Sequence, residues 1–272
     1  SGSIFPPVTS VAGSAIFGTG LETSPYAIIP GSTPGLSGFS SSAAGSARLA
    51  ALQQLLTFDT GISLIQAASS ITTISLSDSQ VLSTALKSAT PLATVFPSTG
   101  LGNQLKQVAQ ILSVRSALGL RRQVFFCSLG GFDTHSTQLA IQAPLFTQLS
   151  QAMNAFYNAT IELNLAQQVT TFTMSDFSRT YQPGSDAGTD HAWGSVQVIM
   201  GGAVKGGDIY GTLPVFTLGG PNDAGSNGRW IPTTSIDQYG ATLAQWFGVS
   251  PSGLTSVFPN LASFPTRTLN FI

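Results

Sequence analysis

Both histidines of this 272-residue chain stand one or two residues from an aspartate, in Asp133-Thr134-His135 and Asp190-His191. A third polar cluster, Ser175-Asp176-Phe177-Ser178-Arg179-Thr180, adds a carboxylate and a guanidinium. Only 8% of the residues are charged, so this concentration of Asp and His does not read as a solvated face. Carboxylate oxygens and neutral imidazoles are hard and borderline ligands, suited to zinc, manganese or magnesium rather than to soft copper. An Asp-x-His pair in extended backbone puts both side chains on one face, because positions two apart share a side. Asp133 and His135 can therefore share one ion, with Asp176 approaching it and Asp190-His191 closing it. Taken singly, Asp133 and Asp176 could be helix caps, and Asp190-His191 could be a turn. Taken together, they read as a metal or acid/base site.

The elements that must position these clusters follow from the apolar pattern. Residues 1–41 are rich in Ser, Gly and Pro but hold apolar pieces such as Ile4-Phe5-Pro6-Pro7-Val8, which reads as extended segments and turns. A helix is expected over 42–56, with Leu49, Leu52, Leu55 and Leu56 on one face after candidate caps at Ser40 to Ser42. Residues 60–92 suggest two helices broken near Ser75–Ser77. A further helix is expected over 101–118, with Leu105, Val108, Ile111 and Leu112 inward and Gln104, Gln107 and Gln110 outward. The pattern then changes. Arg122 to Leu129 is a continuous apolar run ending in Gly130-Gly131, as in a buried parallel strand. A long helix over 138–163 and a second strand over 168–174 complete a right-handed βαβ unit. Each strand ends in an Asp cluster, and ligands in open α/β sheets bind at the carboxyl ends of strands. A hairpin-like turn at the glycines of 201–207, a loop over 222–227 and a helix over 237–247 stopped by Gly248 follow. The expected whole is a single α/β domain over 1–272, subdivided into an extended and helical part (1–118) and a βαβ core (119–272).

Composition excludes several classes. The net charge of −1 gives no pull toward nucleic acid or an anionic membrane. Arg121-Arg122 reads as a strand entry rather than a patch. No run of about 18 apolar residues is present, so no transmembrane segment is expected, and no signal peptide is visible. Cys127, the only cysteine, excludes an internal disulfide and reads as a buried inert thiol. Asn158-Ala159-Thr160 fits a glycan acceptor but falls in a helix. Trp193, Trp230 and Trp246 read as core-edge residues ahead of a sugar site. The chain opens Ser1-Gly2-Ser3 without Met, which reads as a processed or truncated start. The first residues are then expected to lie against other protein, a missing N-terminal segment or a neighbouring subunit.

Five motifs in order resemble a known family. They are Ser128-Leu129-Gly130-Gly131-Phe132-Asp133-Thr134-His135, Ser175-Asp176-Phe177-Ser178-Arg179-Thr180, Gly188-Thr189-Asp190-His191-Ala192-Trp193-Gly194, Gly201-Gly202-Ala203-Val204-Lys205-Gly206-Gly207 and Gly228-Arg229-Trp230-Ile231-Pro232-Thr233-Thr234-Ser235. Together they are similar to the bacterial family labelled domain of unknown function 1501, which is related to the alkaline phosphatase and sulfatase superfamily. The resemblance implies a doubly wound, mostly parallel sheet flanked by helices, as in alkaline phosphatase, present here as an incomplete domain. It implies export to the periplasm or the extracellular space, often by the twin-arginine route. It also implies a two-metal site, with Asp133, His135 and His191 on one ion and Asp176 on the other. Related phosphatases often have Asp-His where this chain has Asp176-Phe177. An N-terminal region with a first strand, a further Asp and the nucleophile of the catalytic relatives is expected to precede the point where this chain begins.

Two functions follow as expectations. One is an exported metal-dependent hydrolase of phosphate or sulfate esters. Its metal set is Asp133, His135, Asp176, Asp190 and His191, its ion zinc ahead of manganese, magnesium or calcium, and Arg179 offers a forked donor to the anionic substrate. Arg179 could instead be a structural ion pair to Asp176 or Asp186. The other is a non-catalytic subunit of an extracellular or periplasmic assembly, in which a homo-oligomer uses the fold as a scaffold.

Overall fold

The sheet that carries the chain toward its first Asp cluster is small and parallel. The computed structural model describes residues 4–20, 23–32, 34–36, 39, 42–58 and 61–272. Ser1 to Ser3 and two of the expected caps, Ser40 and Ser41, lie outside them. The chain divides into two compact units, Ser1–Ser128 and Leu129–Ile272. The division falls at the end of the apolar run of 122–129, between Ser128 and Leu129.

In that unit β1 (Val8–Ser10) lies between β2 (Tyr26–Ala27) and β3 (Val124–Phe126), all parallel. Thr9 and Ser10 on the central strand are buried. Burying a hydroxyl is tolerated when it is hydrogen-bonded, and Ser10 Oγ donates to the Gly13 carbonyl. The strand read as buried, β3, is instead an edge, with Val124 and Phe126 exposed. Helix α1 (Ala43–Leu56) begins at Ser42, whose side chain accepts from Gly45 N at 3.1 Å. Its expected leucine face is not buried; Leu55 is exposed.

Helix α2 runs unbroken over Ser63–Lys87, which corrects the expected break at Ser75–Ser77. Serine is a weak helix former but does not stop a helix, and neither Gly nor Pro occurs in this span. Thr72 and Thr73 return their hydroxyls to the carbonyls of Ala68 and Ser69, both at 2.8 Å, which keeps these side chains compatible with the helix. Helix α3 (Gly100–Ser113) is capped by Thr99 and is shorter than the expected 101–118; turns carry the chain on to buried Leu118. Leu105, Val108, Ile111 and Leu112 are buried as their spacing demands, each worth about 1.5–3 kcal/mol when removed from water. Gln107, expected on the polar face, is buried too and accepts from Gly31 N at 3.3 Å.

In the second unit α4 spans Gln138–Glu162. It contains Pro144, whose missing N–H removes one ladder bond. Its second half buries Ala152, Met153, Phe156 and Ala159, while Leu139 and Phe146 in the first half are exposed. Thr160 is buried as well, while Asn158, two residues before it on the same helix, is exposed. Strand β4 (Thr170–Phe172) pairs antiparallel with β7 (Ile199–Gly201), and β5 (Ser178–Arg179) antiparallel with β6 (His191–Ala192). The expected parallel partnership of the two apolar strands is therefore corrected: β3 takes β1, and β4 takes β7. Glycine chemistry accounts for the second choice. A Cβ on Gly201 would stand 2.6 Å from the Val169 carbonyl oxygen, so glycine is what lets β7 close on β4.

Helix α5 (Ile236–Phe247) starts on a Ser235–Gln238 capping box and stops at Gly248, whose φ of 110° is the left-handed ending that glycine favours. The tail adds α6 (Pro251–Val257) and a 3-10 turn over Pro259–Ser263. Leu254 and Leu261 pack there on Ala241 of α5. Tyr239 of α5 donates its hydroxyl to the Thr173 carbonyl at 3.0 Å, fixing the end of β4, and burial pushes its phenol pKa up. The architecture is thus mixed α/β, with six α-helices, a three-stranded parallel sheet and two antiparallel pairs among the described residues. That is smaller than the doubly wound, mostly parallel sheet expected.

Candidate metal centre

Three stretches far apart in sequence are laid against one another by backbone bonds. Thr189 N donates to the Thr134 carbonyl at 3.1 Å, Thr137 N to the Asp186 carbonyl at 2.9 Å, and Gln138 N to the Ala187 carbonyl at 3.0 Å. Gly188 lies flat on the backbone of His135: a Cβ there would stand 1.9 Å from the His135 carbonyl carbon. Only glycine allows that approach. The β5–β6 pair then sets Arg179 opposite His191. It is locked at its mouth by Thr180 N donating to the Asp190 carbonyl (2.9 Å) and Asp190 N donating to Thr180 Oγ1 (3.0 Å).

The side chains converge on one oxygen. Asp133 Oδ1 stands 2.7 Å from His191 Nε2, 2.9 Å from His135 Nε2 and 3.1 Å from Arg179 Nη1. The two Nε2 atoms are 3.3 Å apart. These three residues form a group able to hold a metal ion, and among the described residues no other such group is found. The donor set fits a divalent cation on chemical grounds. Ligand atoms bonded at about 2.1 Å to one ion lie roughly 3.0 Å apart on an octahedron and 3.4 Å on a tetrahedron. Two ring nitrogens facing each other at 3.3 Å cannot both present a proton along that line. The hydrogen bond from His191, followed by that from Arg179 and the nearby imidazole charge, holds the Asp133 carboxyl below the usual carboxylate range against the opposing effect of desolvation. A carboxylate that stays ionised remains a ligand.

Arg179 anchors the group. Its side chain is 12% exposed against 58% for Asp133. It donates Nε to Thr189 Oγ1 at 2.8 Å, Nη2 to the Thr134 carbonyl at 2.9 Å and again to the Thr189 carbonyl, and Nη1 to Asp133. Neither Asp176 nor Asp186, the partners considered from sequence, receives it. Asp190 and Asp176 fall outside the converging group. Asp190 Oδ1 stands 3.7 Å from His135 Nδ1, on the far side of that imidazole from Asp133, and 3.9 Å separates its other oxygen from Arg229 Nη2.

Several contributors were not singled out from sequence. Phe177 stacks on His191, with centroids 4.4 Å apart and planes at 12°, and the Arg179 guanidinium carbon lies 5.6 Å from its centroid. Phe177 thus holds an imidazole flat. Gln142 Nε2 donates to Thr134 Oγ1 at 2.9 Å, Thr134 to Gln138 Oε1 at 3.2 Å, and Thr189 Oγ1 also donates to Gln138. The i, i+4 spacing of Gln138 and Gln142 at a helix start was the available signal. Asp223 accepts from four backbone N–H groups, of Gly219, Gly225, Gly228 and Arg229, at 2.9–3.1 Å. It shapes the loop from which Arg229 Nε donates to the His191 carbonyl at 3.2 Å. Burial alone would raise the Asp223 pKa, and the four donors outweigh it and hold the carboxyl below 3.8.

A family model described as "Protein of unknown function (DUF1501)" matches residues 40–223. No curated protein and no solved structure was found to match.

Two outcomes are expected. In Gly188→Ala the added methyl collides with the His135 backbone, so zinc or manganese affinity, read by titration calorimetry, falls at least about tenfold; unchanged affinity would show that this apposition does not set the triad. Asp223, with a lowered folded pKa, contributes stability that is present above its unfolded pKa and lost as pH falls through the folded value. Asp223→Asn should therefore melt about 3 °C or more lower at pH 7 and show a flatter decline below pH 4 than the parent. Parallel melting curves for the two proteins across that range would contradict this role.

Proposed function

We propose that this chain, which belongs to the DUF1501 family, is a metal-dependent hydrolase acting on phosphate or sulfate esters outside the cytoplasm. The observation that carries this reading is the meeting of Asp133 Oδ1 with the Nε2 atoms of His135 and His191 within 3.3 Å of one another. Two imidazoles with one carboxylate favour zinc or manganese over the all-oxygen sites of magnesium and calcium. A bound ion of this kind supplies Lewis-acid polarisation of the ester and a more acidic water. The chain's own residues supply the rest. Asp133, His135 and His191 hold the ion from one side. Arg179 neutralises and aims Asp133, acting as a positioning residue while its donors serve Asp133, Thr134 and Thr189. Asp190 Oδ1 stands 3.7 Å from His135 Nδ1, a carboxylate on the outer side of that ring. Phe177 keeps the His191 ring from rotating. Arg229, partly exposed beside Asp190, is a second guanidinium at the same rim and suits an anionic substrate. The likeness of the five motifs to the alkaline phosphatase and sulfatase superfamily supports the ester class and an alkaline phosphatase-like fold. The low charge of the chain supports a periplasmic or extracellular setting.

One observation favours a second reading, a non-catalytic subunit of an exported assembly: the first unit exposes an unusual amount of apolar helix surface. The two readings separate in one experiment. Full-length protein is analysed for bound metal, stripped with a chelator, reloaded with zinc or manganese, and assayed on aryl phosphates and aryl sulfates. The hydrolase reading expects one ion per chain, turnover that follows reloading, and at least about a 100-fold loss in Asp133→Ala and in His191→Ala. Absence of any ion, or an ion with no turnover on either ester, would leave the scaffold reading standing.

A further inference from the structure

The α1–α2 hairpin of the first unit presents a surface with no role in the metal centre. A groove of about 400 Å³ lies between the two helices, and Phe58 and Ile74 are among the residues lining it. From Ile74 the apolar surface continues along α2, where Leu64, Ala67, Ile71 and Ile74 recur at spacings of three and four. Those spacings are the seam of a helix that packs lengthwise on another helix. Here the seam faces solvent: Leu64 is 80% exposed, Ile71 65% and Ile74 60%, with Leu55 at 69% and Phe58 at 72% beside it. Those five side chains leave on the order of 700 Å² of apolar surface open, against the ~800 Å² that each partner brings to a stable interface of standard size. Open apolar patches of that extent are uncommon on a monomer.

We propose that this seam is the interface of a homodimer, in which the α1–α2 hairpins of two copies pack antiparallel into a four-helix bundle. Charge selects this occupant. Among the described residues of the hairpin, Arg48, Asp78 and Lys87 are the charged ones. A partner of a different kind is chosen by complementary charge, and none is laid out here. A helix that lies on an anionic membrane carries a Lys/Arg flank, and this one does not. A like copy needs only shape, apolar area and the absence of facing like charges. The stripe is open only as far as Ile74: Asp78 is half-buried, and Leu82 and Ala85, next on the same face, are buried in the unit's own core. A parallel pair would crowd the two buried ends at one end of the seam, whereas an antiparallel pair centred near Ala67 sets them at opposite ends.

The test is sedimentation velocity on the full chain from about 1 to 100 µM. A dimer is expected within that range, and Ile71→Asp should weaken it at least tenfold while Thr84→Asp, exposed on α2 away from the seam, leaves it unchanged. Circular dichroism melts show whether each variant is folded. If Ile71→Asp does not fold, Ala67→Cys, on the seam itself, replaces it, and a disulfide joining two copies under mild oxidant supports the antiparallel pair. A monomer at every concentration overturns the proposal. So does a dimer indifferent to Ile71→Asp, no cross-link through Ala67→Cys, or a monomer that instead floats with phosphatidylcholine–phosphatidylglycerol vesicles.

Discussion

One carboxylate oxygen organises the second unit. Asp133 Oδ1 receives Arg179 on one side and meets two imidazole nitrogens on the other. Oxygen offers about two well-directed lone pairs, so three nitrogens within 3.1 Å are more than a hydrogen-bonded carboxylate requires. A cation among the lone pairs of Asp133, His135 and His191 would resolve that crowding. Arg179 then supplies the positive charge that keeps the carboxylate ionised and aimed.

The surrounding backbone follows from holding this oxygen and these rings in place. Arg179 is itself fixed by Thr134 and Thr189, whose hydroxyls share Gln138 at the start of α4. Gly188 lets the loop before β6 lie directly on the backbone of His135. Asp223 gathers four N–H groups into the turn that brings Arg229 under His191. A network of this kind is rigid only when every member is satisfied. Apart from Arg179, Asp223 and Arg229 its members are Thr, Gln and Gly, so a chain with 8% charged residues builds a polar centre from few charges.

Much of the centre was legible because its signal is local. Asp133-Thr134-His135 and Asp190-His191 each bring ligand types together within three residues, and the structure brings Asp133, His135 and His191 together. Helices with strong ends were legible for the same reason: α5 has Ser235, Gln238 and Gly248 as its punctuation. Strand partnership was not. The strands carry two or three paired residues each, so their ladders hold little sequence information, and β4 joined β7 through the space left by Gly201. The Ser-rich centre of α2 misled because serine resembles a break while its neighbours bond back to the helix. The depth of β3 misled because an apolar run looks alike at a sheet edge and in its middle. The role of Arg179 required three dimensions, since Asp133 and Thr134 are 46 and 45 residues away.

The first unit poses the complementary question of what covers its exposed hairpin. The most direct measurement on the centre is X-ray absorption at the metal edge of the zinc- or manganese-loaded full chain, combined with anomalous diffraction. The account predicts a single ion about 2.1 Å from the Nε2 atoms of His135 and His191 and from a carboxylate oxygen of Asp133. An ion held elsewhere, or saturating metal that leaves the two rings bound only to Asp133, would contradict it.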